Sequence, residues 1–163
     1  MELMQWLTET KAGEFIWTLL VSMVPIVELR GGIPFGVAAG LPVWQAYLAA
    51  VIGNILPAPF IIVYIRRIFQ WLRRKMPRLN RVVDKLEQKA HLKGQKVSKY
   101  KYLGLWLFVA IPLPGTGAWT GSLAAAFLDM RLRKAFPAVV LGVITAGCIM
   151  LTLTHVGINL FSA

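Results

Sequence analysis

Two short helix-breaking segments interrupt otherwise apolar sequence. The first runs Pro25-Ile26-Val27-Glu28-Leu29-Arg30-Gly31-Gly32-Ile33-Pro34, and the second runs Pro112-Leu113-Pro114-Gly115-Thr116-Gly117-Ala118. Each follows roughly ten apolar residues, which as helix cover about 15 Å. That is half of a hydrocarbon core about 30 Å thick. Each segment also leads straight into a second apolar stretch. The pattern reads as broken helices meeting inside a bilayer, the arrangement on which transporters build their binding sites.

Composition places the chain in a membrane. Of its 163 residues, 57% are hydrophobic and 15% charged, and mean hydropathy is +0.63. A soluble domain of this length could not solvate so much apolar surface. Uncharged runs cover 31–65, 102–128 and 135–163. The length allows one membrane domain, 1–163. Residues 1–13 carry Glu2 and Glu9 with only Lys11 as a basic residue, unlike a secretory signal, and are expected to form a retained interfacial lead. The single cysteine, Cys148, permits no intrachain disulfide and no cysteine metal cluster. The net charge of +11 is concentrated, since 66–101 holds 13 of the 18 Lys and Arg. Such a loop points to topology and to anionic lipid headgroups rather than to nucleic acid.

The chain reads as two copies of one plan. Residues 14–27 are apolar up to the first break, 31–40 are Gly-rich, and 42–65 form a long apolar helix expected to continue through 66–75. A polar helix is expected over about 80–92, ended by Gly94. Then 102–111, the second break, 118–128 and a last helix over 135–159 repeat the order, with a charged break at 129–134. Pro25 overlays Pro112 at a shift of 87, and Ala46–Gly53 overlays Ala135–Gly142 at 89. Charge selects the topology. Four ordinary spans would put Arg131, Arg133 and Lys134 outside, against the positive-inside rule. If each break is instead the tip of a re-entrant hairpin, 66–101 and 129–134 are both cytoplasmic. They then hold 16 of the 18 basic residues. The hairpins enter from opposite faces, both termini lie outside, and the tips 25–34 and 112–118 meet near the midplane. The expected fold is therefore an all-α integral membrane protein, an inverted repeat of re-entrant hairpin plus transmembrane helix.

Glu28 and Arg30 are the charged residues of the first tip. A charge at membrane depth costs roughly 3 kcal/mol on insertion scales and persists when paired or lining a watery cavity. They read either as a mutual ion pair holding the tip shut or as working groups, with Arg30 binding an anionic group and Glu28 carrying a proton. Pro112 and Pro114 break the helix and lack amide donors. Gly31, Gly32, Gly115 and Gly117 allow close approach or only tight turns. Half-helices starting near Ala118 and over 31–33 would aim amides and positive dipole ends into the site, with Thr116 as a further donor. Trp119 flanks the second break, whereas the other tryptophans read as interface anchors. Gly32, Gly36 and Gly40 form a small-residue series suited to helix packing. Asn54 reads equally as helix glue or cavity lining. His155 reads as interfacial and His91 as solvated. The sequence has no hydrolase triad order, metal-ligand spacing, phosphate loop or dinucleotide fingerprint, so neither enzyme, metal nor cofactor is expected.

Glu-Leu-Arg-Gly-Gly-Ile-Pro at 28–34 and Ile-Pro-Leu-Pro-Gly-Thr-Gly-Ala-Trp-Thr-Gly at 111–121 resemble the small multidrug export proteins over nearly the whole chain. That family is similar in plan to the DedA and VTT-domain membrane proteins, which have two opposed re-entrant hairpins and are linked to lipid scrambling and polyprenyl phosphate recycling. The resemblance implies an acidic residue in the first hairpin, matched by Glu28. It also implies arginines around the second, where this chain has Arg131, Arg133 and Lys134 at the surface. The function expected is a secondary transporter or flippase of the inner membrane for an anionic amphiphile, with a lipid phosphate such as polyprenyl phosphate as the first choice of cargo. The site would be Arg30, Gly31, Gly32, Gly115, Thr116, Gly117 and Trp119, with Glu28 coupling protons. The alternatives are a proton-coupled drug exporter and a lipid-anchored scaffold. Two spans and two hairpins make a thin wall, so a homodimer is expected.

Overall fold

The computed structural model describes residues 10–75, 100–113 and 115–161, and every regular element among them is a helix. In chain order these are α1 (Lys11–Ser22), α2 (Glu28–Ala38), α3 (Val43–Ile55), α4 (Pro57–Lys75), α5 (Lys101–Ala110), α6 (Ala118–Phe127) and α7 (Leu132–Phe161). Two stretches, Val43–Ile65 and Leu132–Gly157, are long and apolar enough to cross a membrane. The expected helix over 80–92 and most of the interfacial lead lie outside the described residues.

The first break is shorter than the sequence suggested. Helix α2 starts at Glu28 and carries Pro34 inside it, so the non-helical segment covers only 23–27. Pro34 removes one amide from the ladder, and the helix nonetheless continues to Ala38. The second long segment also divides differently, with a turn at Leu56 between α3 and α4.

Helices α1 and α2 pack antiparallel, and glycine makes this possible. A Cβ at Gly32 would overlap Ser22 Oγ. One at Gly36 would lie 2.8 Å from Thr18 Cγ2, and one at Gly40 3.4 Å from Glu14 Oε1. Glu14, Thr18 and Ser22 thus run along Gly40, Gly36 and Gly32 at four-residue steps. Both hydroxyls are internally satisfied, Thr18 donating to Glu14 O and Ser22 to Thr18 O, each at 2.7 Å. The same glycines press on α3, since a Cβ at Gly36 would meet Ala46 Cβ at 2.9 Å and one at Gly32 would meet Ala50 Cβ at 3.3 Å.

Several backbone bonds of the first half recur in the second. Helix α2 ends in a Schellman cap, with Gly40 N donating to Val37 O and Leu41 N to Gly36 O. Helix α6 ends the same way, with Asp129 N donating to Ala126 O and Met130 N to Ala125 O. Gly40 and Asp129 both take positive φ, +105° and +47°. Each pair is separated by 89 positions. The next helix begins alike in both halves, Ala46 N bonding Pro42 O and Ala135 N bonding Arg131 O. Close approaches repeat too. A Cβ at Gly53 would overlap Leu19 O, and one at Gly142 would lie 3.0 Å from Trp106 O. Those partners are 87 apart and the glycines 89, the two shifts read from sequence. The two-residue difference falls in the breaks. The core forms where the halves meet and gathers Leu29, Ile33, Ala50, Val109, Ala118, Ala125, Met130, Val139 and Val143.

Candidate functional site

The two breaks come together, and Glu28 joins them. Helix α6 needs an acceptor for its first free amides, but its N-cap is Gly117, which has no side chain to offer. The Glu28 carboxylate supplies it from the other half, with Trp119 N donating to Glu28 Oε1 at 3.2 Å. A carboxylate there also meets the positive end of the α6 dipole, which stabilises it by about 0.3–2 kcal/mol. Gly117 (φ +146°) leaves the space this requires. A Cβ at that position would overlap Glu28 Oε2 and lie 2.6 Å from Glu28 Cδ. Glu28 and Gly117 are themselves 89 positions apart, so equivalent points of the two halves touch.

Arg30 completes the junction. Its Nη2 lies 3.5 Å from Glu28 Oε2, forming an ion pair, and donates to Thr116 Oγ1 at 3.3 Å. Thr116 repairs the break around it, lying 2.6 Å from Ile111 O as donor and accepting from Leu113 N at 3.2 Å. Trp119 holds the opposite side, its Nε1 donating to Met23 O at 3.0 Å. This carbonyl follows α1, where the helix ladder has ended. Glu28 is 5% exposed, whereas the Arg30 side chain is 22% exposed, so the cation is the more accessible partner. Glu28 itself takes positive φ (+48°), a conformation costing a non-glycine residue of order 1–3 kcal/mol and concentrated at functional sites.

Of the residues singled out from sequence, Glu28, Arg30, Thr116, Gly117 and Trp119 therefore meet. Gly115 (φ +83°) stands beside them in open space. Gly31 and Gly32 lie elsewhere. Gly31 N is committed to Val27 O at 3.0 Å, and Gly32 packs against Ser22 and Ala50. The amides over 31–33 were expected at a half-helix N-terminus, but α2 begins three residues earlier and they fall in its body.

Two features escape a sequence reading. Met23 enters the junction through its carbonyl alone, which no side-chain motif reports. Ser122, on α6, is fully buried with its hydroxyl unpartnered, as are both polar atoms of Asn54 on α3. An amide buried without partners costs roughly 1–3 kcal/mol on mutational scales. Asn54 is not helix glue in this arrangement, because it makes no interhelical bond. Among the described residues no cluster of three or more potential metal ligands occurs.

Comparison with known proteins adds one result. No curated protein and no solved structure matches the chain. The family model for small multi-drug export proteins matches residues 28–149, a span that starts at Glu28 and includes Arg30, Thr116, Gly117 and Trp119. By that match the chain belongs to the small multi-drug export protein family.

Proposed function

We propose that this protein is a secondary transporter of the cytoplasmic membrane that moves an anionic amphiphile, with Arg30 as headgroup contact and Glu28 as proton carrier. The observation carrying this reading is a carboxylate already seated in an anion site, between the Arg30 guanidinium and the Trp119 amide in the first turn of α6. A carboxylate and a phosphate monoester ask for the same donors. When Glu28 is protonated, its claim on Arg30 and on Trp119 N–H lapses, and a cargo anion takes its place. One proton and one anion enter together, so charge at the site is conserved and the coupling is symport. A lipid phosphate such as polyprenyl phosphate fits, its headgroup at the tips and its tail in lipid.

The topology in this reading is the inverted one. The α1–α2 and α5–α6 pairs are re-entrant hairpins of 10- to 12-residue helices, entering from opposite faces. Residues 66–101 and 129–134 are cytoplasmic, and the 66–101 segment binds anionic lipid headgroups. Both termini are outside, and the unit is a homodimer. The repeated caps and close approaches support the two-copy plan.

The family description favours a second reading, proton-coupled drug export. A cationic drug would compete with the proton for Glu28, and the coupling would then be antiport. Translocation in reconstituted liposomes and drug resistance of expressing cells separate the readings. Loss of lipid-phosphate translocation in both Glu28→Gln and Arg30→Ala supports the first. Loss of drug resistance in Glu28→Gln but not in Arg30→Ala supports the second. Wild-type behaviour of both variants in both assays would leave a membrane scaffold and overturn transport.

A further inference from the structure

Asn54 is 0% exposed, and its Oδ1 and Nδ2 are both unpartnered. The fold does not ask for an amide at this position. Val143 stands 89 positions on, is equally buried, and fills the equivalent place on α7 with an apolar side chain. Among the described residues, the other buried polar side chains of the first half are all satisfied, Thr18 and Ser22 by α1 carbonyls, Glu14 by Lys11, and Glu28 by Trp119 and Arg30. Helix register then gives Asn54 a neighbour. Gly36 packs on Ala46 and Gly32 on Ala50, four residues back along α2 for four forward along α3. Continued by one step, the same register sets position 28 of α2 opposite position 54 of α3, although in this structure the Glu28 carboxylate is turned to Trp119 N and Arg30.

We propose that Asn54 is the hydrogen-bond partner of Glu28 in its protonated state, an inference that rests on Glu28 being the proton carrier. A protonated carboxyl offers one O–H donor and one carbonyl acceptor, and a carboxamide offers the complementary acceptor and donors. Together they close two bonds, Glu28 O–H to Asn54 Oδ1 and Asn54 Nδ2–H to the Glu28 carbonyl oxygen. An ionised Glu28 has no donor for Oδ1, so only the protonated form satisfies both atoms of Asn54. The proton comes from water and adds to a carboxylate oxygen. The same event ends the ion pair with Arg30 and the bond from Trp119 N, leaving both to the cargo. Asn54 is thus a positioning residue that holds the released carboxyl away from the anion site.

Other titratable groups on helices packed against α2 do not compete for this role. Lys11 and Glu14 pair with each other beside Gly40, at the opposite end of α2. Tyr47 meets Cys148 at 3.7 Å. Arg133, Lys134 and His155 are exposed on α7.

Infrared difference spectroscopy of the full chain in lipid vesicles, acid minus neutral, reads the protonated carboxyl directly. The Glu28 band is the one missing in Glu28→Gln. In wild type it is expected at the lowered frequency of a hydrogen-bonded carboxyl, with a paired carboxamide change. In Asn54→Val it moves up to the frequency of a free carboxyl and the carboxamide change disappears. Translocation falls about tenfold, the worth of roughly one such bond, while melting temperature does not fall. Asn54→Ala serves in its place if Asn54→Val does not fold. An unchanged Glu28 band in the folded variant overturns the role of Asn54 and leaves the proton carrier standing. Absence of any Glu28 band in wild type overturns the proton carrier itself, and the inference with it.

Discussion

Gly117 is where the junction between the halves can be weighed. An alanine there meets two costs. The first is backbone strain, because φ is +146° and an L residue pays about 1–3 kcal/mol for such a conformation. The second is displacement of Glu28, whose Oε2, Cδ and Oε1 all crowd the added Cβ. Moving the carboxylate breaks its bond from Trp119 N and its pairing with Arg30. A hydrogen bond to a charged group contributes about 1.5–3 kcal/mol. Gly117→Ala is therefore expected to cost about 2.5–6 kcal/mol. Gly115→Ala is the control, because its φ is +83° but nothing lies within 4 Å of its Cβ position. It should cost the strain alone, about 1–3 kcal/mol. Reversible unfolding in mixed micelles measures both. A double-mutant cycle isolates the contact, since in a Glu28→Ala background Gly117→Ala should also shrink to the strain alone. The expected coupling is about 2 kcal/mol. If the two substitutions add to within about 0.5 kcal/mol, the carboxylate does not occupy the cap of α6 and the junction described above is wrong.

Further outcomes follow from the same contacts. Trp119→Phe keeps the ring but leaves Met23 O without its donor, and should cost about 1–3 kcal/mol in the same unfolding measurement. Gly32→Ala drives a Cβ into Ser22 Oγ and should cost about 1–3 kcal/mol through overpacking, with Ser22→Ala restoring part of the loss. Gly104 has open space around its Cβ position and lies inside α5, so Gly104→Ala should stabilise by about 0.5–1 kcal/mol. For topology, single cysteines at Pro42 and Arg131 in a Cys148→Ser background should react with an impermeant thiol reagent from opposite sides. Labelling of both from one side would refute the inverted arrangement.

Much of this architecture is legible in the sequence because bilayers and helices impose simple lengths and periods. Apolar runs of about ten residues ending in Pro and Gly mark the two breaks, and the shifts of 87 and 89 reappear as repeated caps and close approaches. The Gly32–Gly36–Gly40 series is readable as packing because its four-residue spacing is a helix face, and it is packing that the fold makes of it. Composition also determines that Glu28 and Arg30 are isolated charges in apolar surroundings, which must find partners. It could not choose those partners. Arg30 lies 86 residues from Thr116, and Glu28 lies 91 from Trp119 N. Contacts of that separation depend on how two half-helices dock, and docking depends on every side chain between them. Trp119 N is one of the half-helix amides that the second break predicts, but Met23 O, a lone backbone carbonyl, entered the site unannounced. A glycine reads as freedom to turn, yet only the tertiary structure shows that the absent Cβ of Gly117 leaves room for a carboxylate from the other half.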